Sequence, residues 1–240
     1  MNQKKKRKKK TKYIIIIAVL VVILIIQMLV LWKDVSWKKE KQEQEKETAE
    51  EILEFPYSLD DGKLEITSLF QSSIDNPDCE NATGENIASI EVKNQSGKFL
   101  VSANITVILS DDTELQFELV DIPAESSVWA FETSNIEITE QPKCKTIECE
   151  AVYEESNPMM TEELSIEADG TTVNISNLTD TNLTNINVSF HCLFDEDVYF
   201  GGKTYIYPID VLSVGETVSL EVEECYLGQA DAVRVTGINE

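Results

Sequence analysis

Residues 90–109 read IEVKNQSGKFLVSANITVIL, and residues 173–192 read VNISNLTDTNLTNINVSFHC. The two stretches align without a gap at an offset of 83 residues. Val92 falls on Ile175, Asn94 on Asn177 and Ser96 on Thr179. Leu100, Asn104, Ile105 and Val107 fall on Leu183, Asn187, Val188 and Phe190. Further on, IPAESSV (122–128) matches LSVGETV (212–218) at an offset of 90, so the second copy holds seven extra residues between the blocks. The stretch Tyr199–Tyr207 is where they are expected. This duplication predicts two tandem β-sandwich domains, residues 57–156 and 157–240, joined near EESNPMMTE (154–162).

Local patterning agrees. Residues 87–93, 103–109, 115–120, 171–176, 186–194 and 218–222 alternate or cluster apolar and β-branched side chains. Most are bounded by Asn, Asp, Gly or Ser, the pattern of an all-β sandwich. LSIEADGTTVNI (164–175) reads as a hairpin with Asp169-Gly170 at a type I′ turn. Asp60-Asp61-Gly62 and Asp111-Asp112 read as further turns. No helical period follows residue 56.

A strand ending in Asn-x-Ser/Thr, an amphipathic strand, and then hydrophobic-x-x-Gly-Glu-Thr-Val resembles the Ig-like modules of Gram-positive bacterial surface proteins. As a whole the chain resembles uncharacterised single-pass envelope proteins of those bacteria. The resemblance covers about residues 87–240 and implies a fold and a place, without an activity. Glu125 stands where the second copy has Gly215, a departure from the pattern.

Upstream, YIIIIAVLVVILIIQMLVLW (13–32) is long and apolar enough to cross a bilayer as a helix. Eight Lys/Arg in residues 1–12 predict a cytoplasmic tail resting on anionic headgroups. The run exceeds a secretory h-region and ends in LVLWKDVSW, with no small-residue cleavage site, so an uncleaved anchor is expected. Residues 33–56 are rich in Glu, Lys and Gln and predict a charged, partly helical stalk ended by Pro56. The expected place is the plasma membrane, with the C-terminal domains outside it.

Residues 51–240 carry 7 Lys/Arg against 38 Asp/Glu, a net charge of −31. A field of that sign argues against nucleic acid as a partner. Chemistry-bearing motifs are sparse. Gly202-Lys203-Thr204 lacks the upstream glycine and the helix of a phosphate loop, and reads as a hairpin turn needing unusual backbone angles at Gly201 and Gly202. His191, the sole histidine, is expected at the surface. With it alone, a multi-histidine zinc site is unavailable. No catalytic, metal or cofactor residues are assigned.

Five cysteines follow the apolar run. Cys192 and Cys225, the only pair in the second domain, are the candidate disulfide. Cys144 and Cys149 either close a small loop or one of them takes Cys79. Seven Asn-x-Ser/Thr sites occur, at Asn81, Asn94, Asn104, Asn174, Asn177, Asn182 and Asn187. They are read as Asn/Thr richness of strands and turns rather than glycosylation. Trp129 is assigned to a core. Tyr199, Phe200, Gly201, Gly202, Tyr205 and Tyr207 form the candidate interaction surface. The expected function is a non-enzymatic accessory, adhesion or assembly module of the cell envelope, with an envelope protein or wall glycan as partner. The alternatives are a glycan-binding module using the Tyr199–Tyr207 stretch and, last, a carboxylate hydrolase.

Overall fold

The computed structural model describes residues 52–79, 84–156 and 159–238. The basic tail, the apolar run, nearly all of the stalk and the Asn81 site lie outside them. Among the described residues no α-helix occurs, and no helix is long and apolar enough to cross a membrane.

The described chain is all-β. Its strands are β1 (Tyr57–Leu59), β2 (Leu64–Ser72), β3 (Ile87–Asn94), β4 (Phe99–Leu109), β5 (Glu114–Ile122), β6 (Ser127–Phe131) and β7 (Cys144–Glu154). Then come β8 (Leu164–Asp169), β9 (Thr172–Asn177), β10 (Leu183–Asp195), β11 (Val198–Leu212), β12 (Thr217–Glu221) and β13 (Gln229–Ile238). A seven-stranded sheet runs β1-β2-β3-β6-β11-β10-β13, and two three-stranded sheets run β5-β4-β7 and β12-β9-β8.

The repeat explains this order. The alignment equates β3 with β9, β4 with β10, β5 with β11 and β6 with β12. In the first half β2-β3-β6 enters the large sheet and β5-β4-β7 forms a small one. In the second half the assignment inverts: β11-β10-β13 enters the large sheet and β12-β9-β8 forms the small one. Two cores result. One joins Leu64, Ile66, Ile90 and Val92 to Ile105, Val107, Leu115 and Phe117. The other joins Val173, Ile175, Val188, Phe190, Phe200 and Val235. Along β6, Val128 and Ala130 belong to the first core, while Phe131 belongs to the second and Trp129 packs against it. Successive strand residues point to opposite faces, so the cores lie on opposite faces of one sheet.

The halves meet where β6 pairs parallel with β11, Ser127–Trp129 against Val198–Phe200. The seven extra residues of the second copy lie at this place. In the first half Ile108 pairs with Glu114, leaving the five residues 109–113 to close the hairpin. The equivalent positions are His191 and Thr204, and twelve residues, 192–203, lie between them. The longer hairpin tip reaches β6; the shorter one has no such reach.

Three local expectations change. Residues 52–56 are not the end of a helical stalk: they form no helix, and Leu53 bridges Cys144 at the start of β7. The β8–β9 turn is shifted by one residue, since Asp169 pairs with Thr172 and the loop is Gly170-Thr171. Only Gly170 there has positive φ, at 64°. Gly201 and Gly202 are not a hairpin turn but sit within β11, where its register against β10 shifts between the Phe190 and Cys192 pairs.

Candidate functional site: the seam between the halves

The aromatic stretch assigned to an interaction surface is largely interior. Tyr199 is 6% exposed and Phe200 3%, Gly201 and Gly202 are buried, and Tyr205 and Tyr207 are half-buried. Burying rings of this size is worth roughly 2 kcal/mol each, so the seam takes the side chains that a ligand would have used. The tip is an internal clasp.

Asp78 anchors the clasp. Its Oδ2 accepts the backbone N–H groups of Phe131 and Gly202, both at 2.8 Å, and its Oδ1 accepts that of Lys203 at 3.1 Å. Lys203 Nζ donates to the Asp78 carbonyl at 2.9 Å. Burial pushes the carboxyl up to about 6, against the downward pull of the three N–H groups. Gly201 has φ of 88°, a conformation that favours glycine. At Gly202 a Cβ would lie 2.0 Å from the Glu118 carbonyl oxygen, so β11 approaches β5 more closely than any side chain allows.

His191 is not at the surface: it is fully buried, and Nε2 lies 2.7 Å from the Val120 carbonyl oxygen. A carbonyl only accepts, so Nε2 carries the proton and Nδ1 keeps a bare lone pair without a partner. Burial lowers its pKa to about 4. The second half's sheet face, which an isolated domain would leave in water, is covered here by β5 of the first half. Beside it, Tyr199 Oη donates to Asp231 at 2.7 Å, and burial raises the pKa of both groups.

An open groove of about 560 Å³ runs along the seam, lined by Val120, Asp121, Ser189, Ile206 and Arg234 among others. The Arg234 guanidinium is matched by Asp121 at 3.1 Å and Glu154 at 3.4 Å. Burial is the largest influence on Asp121 and raises its pKa. The ion pair in the groove is satisfied.

Two of the Asn-x-Ser/Thr sites are structural corners of the same construction. Asn94 is 0% exposed, and its amide donates to Lys98 O, Ile122 O and Pro123 O at 2.9, 3.2 and 3.0 Å. Asn177 is 3% exposed and donates to Thr181 O, Leu212 O and Ser213 O at 2.8, 2.9 and 3.2 Å. The side-chain oxygen of each accepts the N–H and hydroxyl of the Ser96 or Thr179 two residues on. The Ser/Thr of the motif thus closes a turn. Asn104, Asn182 and Asn187 are exposed. The turn that follows also matches: Glu125 at φ 64° and Gly215 at φ 68° hold the same left-handed position.

Cys192 and Cys225 are joined by a disulfide. Cys79, Cys144 and Cys149 are unpaired. The small loop between Cys144 and Cys149 is not closed, because both lie along the extended β7, and neither bonds Cys79. Burial raises both β7 thiols, that of Cys149 to about 11, which makes them poor nucleophiles at neutral pH. Trp129 is half-buried and meets Phe70 and Phe194 with ring centroids 5.9 and 5.1 Å away. Among the described residues no group of three or more His, Cys, Asp or Glu is placed to hold a metal ion.

Asp78 and Glu132 were invisible to sequence reasoning. Glu132 is fully buried and accepts the N–H groups of Gln116, Ser134 and Ile136. Nothing in SIDNPDC or AFETSN marks a carboxylate that folds inward. The Asn corners did leave a signal, an Asn-x-Ser/Thr triplet at the same place in both copies. Compared with known protein families and with curated proteins, the chain matches none.

Proposed function

We propose that this chain is a non-enzymatic accessory or assembly module, held outside a bacterial plasma membrane by its apolar N-terminal run. In this reading the two repeats are Ig-like sandwiches, fused by the β6–β11 clasp into one stiff, acidic body. The observation that carries it is how the buried polar groups are used. Asn94, Asn177, Asp78, Glu132 and His191 all bind backbone groups and hold the architecture. The Cys192–Cys225 disulfide supports an oxidising location.

The test is in-cell crosslinking of the tagged full chain, followed by mass spectrometry of what co-purifies. A reproducible, near-stoichiometric envelope protein is the expected result. Hydrolytic turnover of a wall substrate by the purified chain overturns the reading. Wall-glycan binding remains the second reading, favoured by the partly exposed row Phe70, Trp129 and Phe194. Glycan retention that disappears in Trp129→Ala would move it to first place.

A further inference from the structure

The repeat exposes a docking edge. In the first half β6 has β3 on one side and the β11 tip on the other. Its second-half equivalent, β12, has β9 on one side, and no strand among the described residues on the other. The outward groups of β12 follow from the same equivalence. Ser127 N–H donates to Asp197 O, and Phe131 N–H donates to Asp78. Alternation along the strand therefore directs the N–H groups of residues 127, 129 and 131 towards the clasp. The matching donors, on Thr217, Ser219 and Glu221, point away from β9 at an open edge.

We infer that β12 is a strand-addition site for a cationic extended segment of a partner protein, which pairs with it in parallel as the β11 tip pairs with β6. A second copy of this chain does not fit. Its β11 tip is already engaged on its own β6, and its β4–β5 hairpin lacks the extra residues. Copies also repel at a net charge of −31 over residues 51–240. Local charge defines the sign of the partner, because residues 216–224 (ETVSLEVEE) carry four glutamates and no Lys or Arg. Main-chain hydrogen bonds along the edge supply affinity, and the charge supplies selection. The outer face of the β9–β12 pair is already ordered by side-chain bonds, Ser176 with Thr217 at 2.8 Å and Thr172 to Glu221 at 2.9 Å. An incoming strand therefore meets a set edge. Only the partner's identity as an envelope protein rests on the function proposed above.

The probe is a nine-residue peptide built on the clasp, residues 195–203, with Asp195, Glu196 and Asp197 each replaced by lysine. Labelled peptide is titrated into the full chain in detergent. Saturable binding is expected, weakened at least tenfold by Ser219→Pro, which removes an outward donor at a position where an edge strand tolerates proline. The unmodified acidic peptide should bind at least tenfold more weakly. Hydrogen exchange on the unaltered chain gives a second readout that needs no variant. Residues 217, 219 and 221 should exchange at least tenfold more slowly with saturating peptide. Absence of saturable binding, equal binding by Ser219→Pro, or protection appearing elsewhere overturns the proposal. Binding at the edge together with failure to crosslink any envelope protein would sink the accessory function and leave the docking edge standing.

Discussion

Replacing Asn177 by aspartate tests the corner motif with almost no change of shape. The native amide gives two protons to three carbonyl oxygens at 2.8–3.2 Å, and its oxygen receives Thr179 N–H and Oγ at 2.8 Å each. Alanine removes all of these partners. The Leu212 carbonyl bond is fully buried and the others partly so. A stranded buried acceptor costs about 1–3 kcal/mol and a half-solvated one less, so Asn177→Ala should lose about 3 kcal/mol. Aspartate keeps the receiving oxygen but aims a second, charged oxygen at three carbonyls. It should lose about 5 kcal/mol at neutral pH. In a unit of this size those losses lower Tm by roughly 10 and 15 °C. Protonation restores a donor, so the aspartate pKa is raised in the fold, and stability returns as pH falls. Asn94→Asp should behave alike, because its corner has the same partners. Calorimetry of the full chain from pH 4 to 7.5 reads each point. Asn177→Asp as stable as Asn177→Ala at neutral pH, or without recovery at low pH, would refute the assigned hydrogen-bond polarity.

Other outcomes follow from the seam. His191 is neutral in the fold with a pKa of about 4 against 6.5 free, so its contribution is complete above pH 6.5 and lost as pH falls towards 4. That amounts to about 3 kcal/mol. Asp78, raised to about 6 from 3.8, runs the other way: its contribution is complete below about 3.8 and lost as pH rises through 6. Relative to the native chain, His191→Gln should lose stability as pH rises from 4 to 6, and Asp78→Asn should lose it as pH falls across that window; urea titrations at each pH decide. Glu125→Gly should gain about 0.5–1 kcal/mol by relieving a φ of 64°, read as a higher urea midpoint. Cys225→Ala opens a link between residues 33 apart and should lower stability by about 3 kcal/mol in the oxidised protein, with no further loss on adding reductant.

Strands with a strong apolar signature were legible. Ile87–Asn94, Phe99–Leu109 and Leu183–Asp195 lie on cores, and their buried positions set the pattern that the sequence displays. CKTIECEAVYE was not, because β7 is an edge strand buried mainly at its first residue and charged at many of the others. QADAVRVTGI was missed for a different reason: its buried residues are Ala230, Val233 and Val235, a spacing broken where β13 shifts register against β10. His191 was assigned to water because its neighbours Phe190 and Cys192 share the opposite face. That reasoning was sound for one sandwich, but here the other half covers the remaining face. The aromatic tip was misjudged in the same way. Local pattern reports which residues are apolar, and only the tertiary arrangement says what covers them.

The clasp also has a consequence in time. Asp78 depends for two of its three N–H partners on Gly202 and Lys203, 124 and 125 residues further along. During synthesis the first repeat emerges with that carboxylate holding only the Phe131 N–H of its three partners and with the outer edge of β6 bare. It stays provisional until the second hairpin has been made. Pairing across so long a stretch of chain is slow, which gives chaperones and proteases a defined interval in which to act on the nascent protein.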